Sequence, residues 1–530
     1  MKLAPNTSLF YKLANVLNVS VVICLSGCAR QSPLDGEAQP AASISSAMVK
    51  SEDFPLQVQH NTEEYEAIEE NDFIQALQQP QSTFSIDVDT ASYANVRRML
   101  RQGNWPPAGA VRLEELVNYF SYDYPEPEGE HPFSVIADVA PCPWKEGHQL
   151  LRIGLRGQSI EFQERESANL VFLLDVSGSM LAPNKLPLVK SAMKMLTQEL
   201  RPEDRIAIAV YAGASGLALD STPASNSAEI LGALESLEAG GSTNGGAGIR
   251  LAYATAREHF SADGINRVIL CTDGDFNVGT TNESELVELI QEEAKSDIFL
   301  TVLGFGGGNL KDSKMEKLAD LGNGNYAYID SKLEARKVLV EEVGATLKTI
   351  AKDVKIQVDF NPRHVQAYRL LGYENRLLDN QDFRDDRKDA GEIGAGHRVT
   401  AFYELVPTGN ETFQESRSSE FVTQELSEHA DVETRLTVNL RYKQPDADVG
   451  QEFQVRVSAS AMHMDAPRDM QFATAVLAYG MLLRGSSHIG NLNWDWVVET
   501  AERSAGDDPR GLRAEFLALT KTAKRLAATR

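Results

Sequence analysis

Leu170-Val171-Phe172-Leu173-Leu174-Asp175-Val176-Ser177-Gly178-Ser179 is the stretch from which the rest of the chain can be read. Five consecutive apolar residues leave no polar face, so the run reads as a strand covered on both sides, as parallel strands are. It ends at an acid and passes into two serines around a glycine. A buried strand that ends this way places oxygen donors at its carboxyl end, where open α/β sheets bind their ligands.

Outward from this stretch the hydrophobic period alternates. Leu186, Val189, Met193, Leu196 and Leu200 recur at helical spacing. Arg205 to Tyr211 reads as a second strand, Ile249 to Phe260 as a helix and Arg267 to Cys271 as a third strand. Glu283 to Ala294, Ile298 to Phe305, Met315 to Leu321 and Leu333 to Leu347 continue the alternation. This predicts an α/β fold over 165–347, a doubly wound and mostly parallel sheet. Two further segments beside predicted elements carry oxygen donors, Gly241-Ser242-Thr243-Asn244 and Thr272-Asp273-Gly274. A Ser or Asp after a strand often does no more than cap the next helix. Three ordered pieces are a stronger signal than any one of them.

Asp-x-Ser-x-Ser after an apolar strand, a Thr in a Gly-rich loop about 65 residues on and an Asp-Gly about 30 beyond it resemble the metal-ion-dependent adhesion site of von Willebrand factor type A domains. The resemblance implies that Ser177, Ser179 and Thr243 reach a metal directly, and that Asp175 and Asp273 do so directly or through water. Hydroxyls and carboxylates are hard ligands suited to Mg2+, with Mn2+ or Ca2+ as substitutes. Gly178 and Gly274 would let the backbone turn beside the ion. A protein partner presenting an Asp or Glu carboxylate is the implied ligand class.

The flanks place this domain. Lys2 and Lys12 precede a short apolar run from Leu13 to Leu25, as in an export signal. Leu25-Ser26-Gly27-Cys28 resembles the lipobox of bacterial lipoproteins, so 1–27 reads as a removed signal and Cys28 as the lipidated residue. Residues 28–80, rich in Ala, Ser, Gln, Pro and Glu, read as a flexible tether. An α+β region follows over 81–160, with a strand at Phe84 to Asp89 and a helix at Ala91 to Gln102. Residues 350–462 read as β-rich and 465–530 as helical. Ser85-Ile86-Asp87-Val88-Asp89-Thr90-Ala91-Ser92-Tyr93, with the later parts, looks like a group of bacterial lipoproteins that carry a type A domain. Ala29 after the lipidated cysteine, in place of an Asp, favours the outer membrane facing the periplasm. Cys142 and Cys271 are left either to pair or to stand as free thiols.

The formal net charge of the 530-residue chain is −25, and removal of 1–27, which holds two lysines and no acid, makes it −27. Such a surface with no basic stripe argues against nucleic acid. Asp273-Gly274-Asp275-Phe276-Asn277 imitates an EF-hand start, but Val278 and Ser284 stand where Gly and Glu are needed. Gly304-Phe305-Gly306 with Asn309 lacks the third glycine of a dinucleotide fingerprint. Asp87, Asp89, Thr90 and Ser92 could hold a second cation, but Asp89 or Thr90 reads rather as the cap of the helix at Tyr93. No nucleophile elbow, P-loop or paired-histidine metal motif is present. The expectation is therefore a binding protein and no enzyme. A metal-dependent hydrolase with Asp275 as base, and a scaffold whose metal is purely structural, are the alternatives.

Overall fold

In the computed structural model the two faces of the opening strand separate at once. On Ala168–Asp175, Leu170, Phe172 and Leu174 enter one apolar layer, and Val171 and Leu173 enter the other. The structure describes residues 63–530 apart from 87–88, 161–164, 243–244, 275–282, 309, 343–347, 389, 412, 414–424 and 428–429. The expected signal and most of the tether lie outside the described residues.

Ala168–Asp175 is the middle of a six-stranded sheet. Its order is Tyr326–Ile329, Phe299–Phe305, Ile265–Thr272, Ala168–Asp175, Arg205–Tyr211 and Ser215–Pro223. The first five strands run parallel, and Ser215–Pro223 pairs antiparallel at the edge. Helices Leu186–Glu199 and Ser227–Ser236 cover one face, through Val189, Met193, Leu196, Ile230 and Leu234. Gly245–Glu258, Glu283–Ala294 and Asp312–Leu321 cover the other, through Ile249, Tyr253, Ile290 and Met315. This is the doubly wound architecture expected from the alternation. Burial of each such aliphatic or aromatic side chain contributes about 1.5–3 kcal/mol, which is why the apolar rows dictate the layers.

Segments 81–160 and 350–462, separate in sequence, supply strands to the same two sheets. One sheet runs Ile74–Gln75, Val365–Leu371, Arg398–Pro407, Gln149–Gly157, Phe133–Pro141. The other runs Leu377–Leu378, Gln81–Ser85, Thr349–Phe360, Thr434–Lys443, Gln451–Ser458. Their inner faces meet in one core that includes Leu151, Ile153, Tyr403, Ile356, Val358 and Leu440, so the β-rich region is a sandwich. The outer face of the first sheet, with Leu150, Leu371 and Phe402, packs under helices Arg468–Arg484, Trp494–Ser504 and Leu512–Ala527 and the earlier Ala91–Arg101 and Leu113–Asn118. Gly480 permits one close crossing: a Cβ there would lie 2.6 Å from Leu113 Cδ2. Among the described residues no helix is long and apolar enough to cross a membrane.

Helix Ala91–Arg101 also touches the central six-stranded sheet, with Ala91 and Ala94 in its second apolar layer. Arg97 of this helix is fully buried and pairs with Asp330 and Glu334 of the central domain and with Glu515 of the last helix. Asp89 does not cap the helix. Its carboxylate accepts a hydrogen bond from the backbone N–H of Tyr326 at 2.9 Å, which ties the end strand of the sheet to the flank.

Candidate metal centre

The order of the central sheet reverses between Ala168–Asp175 and Ile265–Thr272. The chain leaves the first strand toward one edge and, after the second, builds toward the other. Carboxyl ends at such a reversal splay apart and leave a crevice. Asp175 is the last residue of one strand and Asp273 follows the other, and both are fully buried.

The local backbone draws the donors together. Ser177 N–H donates to Asp175 Oδ1 at 2.8 Å, closing the turn after the strand. Gly178 N–H donates to Gly241 O at 3.0 Å, and Gly240 N–H donates to Val176 O at 2.7 Å. The Gly-rich loop is thereby laced to the Asp-x-Ser-x-Ser loop. Gly241 (φ 84°) and Gly274 (φ 100°) occupy the left-handed region that a side chain would strain. Gly178 does not, and its Cβ would meet Gly241 O at 3.4 Å, an ordinary contact, so the structure leaves room for a side chain there.

Ser177 is buried and Ser179 is exposed, and their Oγ atoms stand 2.9 Å apart. In an octahedral Mg2+ shell with bonds of about 2.1 Å, neighbouring ligands stand about 3 Å apart. The two hydroxyls hydrogen-bond to each other at a separation that is also the spacing of adjacent ligands. Among the described residues no three His, Cys, Asp or Glu side chains converge on one point, and the two serine hydroxyls are the further oxygen donors beside the two carboxylates. The donor set fits a small hard dication.

Burial pushes the Asp175 carboxyl above its ordinary range, hydrogen bonds from Ser177 oppose this, and the neighbouring Asp273 carboxylate adds to it. Tyr211 OH donates to Asp175 Oδ2 at 3.1 Å, so the acid is oriented from the adjacent strand. Lys185 Nζ donates to Asp273 Oδ2 at 2.7 Å.

The structure brings Asp175, Ser177, Ser179 and Asp273 to one end of the sheet. Thr243, the fifth expected ligand, lies outside the described residues, as do Asp275 and Cys28. Tyr211 and Lys185 were not legible as site residues. A tyrosine closing an apolar strand reads as core, and a lysine opening a helix reads as solvated. Cys142 and Cys271 are both free and buried, which closes the alternative of a pair; burial pushes both thiols up.

Known proteins resemble this chain over three stretches. Residues 169–342 match the von Willebrand factor type A domain profile, 59–152 match one described as von Willebrand factor, and 345–526 match that of the C-terminal region of the uncharacterized protein YfbK. YfbK from Escherichia coli K12 is 42% identical over 471 residues, spanning 87% of this chain and 81% of its own. The uncharacterized protein sll0103 of Synechocystis is 29% identical over 187 residues, 35% of this chain and 43% of its own. A von Willebrand factor type A structure from Catenulispora acidiphila superposes with a TM-score of 0.39 at 14% identity, covering 71% of this chain and 87% of that one.

Proposed function

Because the chain belongs to the family of Escherichia coli YfbK and carries a von Willebrand factor type A domain between family-specific flanks, we propose that it is a lipid-anchored cell-envelope protein that binds a partner protein through a divalent metal. Asp175, Ser177, Ser179, Thr243 and Asp273 hold Mg2+, for which Mn2+ or Ca2+ can substitute. The partner contributes an Asp or Glu carboxylate to the ion. Cys28 carries the lipid, and the outer membrane facing the periplasm is the assigned location.

The observation that carries the reading is the pair of serine hydroxyls at 2.9 Å beside two buried carboxylates at the sheet's reversal. The bound ion supplies a Lewis-acid position for an anionic ligand. The protein's own residues do the rest: Ser177 N–H and Tyr211 OH orient Asp175, and the Gly240–Gly241 loop closes on Val176 and Gly178. Without an ion, a ligand carboxylate would face Asp175, the one of the two acids that Lys185 does not pair. Like charges at about 4 Å cost roughly 4 kcal/mol at an effective dielectric of 20, half of the free energy of a micromolar complex. The role we assign is binding without catalysis.

Affinity capture from membranes tests the reading, with wild type and Asp175→Ala run in parallel in Mg2+ and in EDTA. A partner retained by wild type in Mg2+ and lost in the other three arms is the expected result. Equal capture in all four would remove the metal from the mechanism.

A further inference from the structure

Among the described residues, Lys185 is a side chain at the centre that a shell of carboxylates and hydroxyls does not call for. Its ammonium reaches the fully buried Asp273 at 2.7 Å, and its own side chain is 10% exposed. The residue is held at both ends. Its backbone N–H donates to Ala182 O at 2.9 Å, and its carbonyl accepts from Leu188 and Val189 at 2.8 and 3.0 Å. Its stem lies on Gly306, where an added Cβ would come within 2.3 Å of Lys185 Cε and where φ is 76°. Gly306 is itself anchored, since Tyr328 OH donates to its carbonyl. The loop beyond is pinned by Glu63, which accepts from Gly308 N–H at 2.7 Å and pairs with Arg98 at 2.8 Å. The ammonium is therefore placed, unlike a solvated lysine arm that samples many rotamers.

We propose that Lys185 sets the charge of the loaded centre, weakening divalent-cation binding while strengthening capture of the anionic ligand. The inference rests on the metal-site reading above. Among the described residues of the centre, Asp175 and Asp273 bring two negative charges and Lys185 cancels one. A dication then leaves the centre with a net charge of +1, where a lysine-free centre would be neutral. A neutral centre offers a carboxylate an open coordination position. A positive centre also attracts it across the last few ångströms, against the −25 of the whole chain. The same positive charge repels the incoming metal ion, so the two affinities are traded against each other.

The test uses the full chain with Mn2+ as the metal probe and acetate as the carboxylate probe, both read by water-proton relaxation. Wild type, Lys185→Met and Lys185→Gln are compared, and thermal unfolding identifies the variants that remain folded. Lys185→Met is expected to bind Mn2+ at least tenfold more tightly, and acetate is expected to displace Mn2+-bound water severalfold less effectively. Lys185→Gln, which keeps much of the stem, should follow in the same directions. If wild type binds Mn2+ and either folded variant shows both affinities unchanged, or both moving in one direction, the role of Lys185 is overturned and the metal site stands. Wild type that binds no Mn2+ overturns both.

Discussion

Arg97→Met removes a guanidinium that joins three parts of the molecule. Arg97 is fully buried. It donates to Asp330 at 2.5 and 2.8 Å, to Glu334 at 2.6 Å, to Glu515 at 3.1 Å and to the Tyr119 hydroxyl at 2.8 Å. The acid side chains are 5, 1 and 11% exposed, so water cannot replace the lost cation. Methionine fills most of the stem's volume, which keeps the cavity contribution small. The cost is that of leaving carboxylates buried without their partner, about 3–5 kcal/mol. Part is recovered if the acids take up protons. Urea unfolding of Arg97→Met should therefore show a midpoint lowered by that amount divided by the measured slope. Adding Asp330→Asn and Glu334→Gln should restore at least half, because the stranded charges are then gone. Since Arg97 links the type A domain to the flanks, the single variant should also be cut earlier by protease between them. A loss below about 1 kcal/mol, or no recovery in the triple variant, would refute the claim that this cluster holds the parts together.

Three other outcomes follow from particular contacts. Burial first, then Glu374 and Glu115, pushes Glu114 up to about 7, while Tyr373 N–H donates to it; Glu66, Glu69, Arg112 and Asn375 line the same cavity of about 280 Å3, and Arg484 pairs with Glu374. A folded-state pKa raised above the unfolded value means that stability is present below about pH 4.5 and is lost as pH rises through about 7. Glu114→Gln should thus match wild type near pH 4.5 and exceed it at pH 8, by up to about 3 kcal/mol in urea melts; parallel profiles would contradict this. Asp273→Ala strands the Lys185 ammonium but relieves Asp175 of a like-charged neighbour, so it should abolish metal binding with a net stability loss of about 1–3 kcal/mol; an unfolded variant would show that the pair is needed for the fold. Cys28→Ser should convert the protein from detergent-extracted to freely soluble, and an intact mass with an unmodified amino terminus in wild type would end the lipidation proposal.

The sequence revealed the central sheet because its strands are continuous apolar runs and its first loop carries donors in an unbroken string. Elements with weaker signals escaped. Ser215–Pro223 is an edge strand with few buried side chains, and Tyr326–Ile329 is only four residues long. Periodicity names a strand but not its neighbour, so the pairing of Gln81–Ser85 with Thr349–Phe360 was not legible, and two flanks read as separate regions share one sandwich. The carboxylate and serine part of the centre was readable because hard oxygen donors at strand ends have a chemical logic. Lys185 was not, because it meets Asp273 from 88 residues away. Arg97 hid for a related reason: an arginine on a helix is read as solvated until three acids from distant segments are seen around it.

Calorimetric titration of the full chain with Mg2+ tests the central claim most directly, with wild type set beside Asp175→Asn and Ser177→Ala. Both substitutions keep side-chain size near the original, and each alters one donor at the sheet's reversal. The account predicts one equivalent of Mg2+ in wild type, and binding at least tenfold weaker in each variant while its thermal unfolding remains cooperative. Binding of equal strength in all three proteins, or none in wild type, would contradict it.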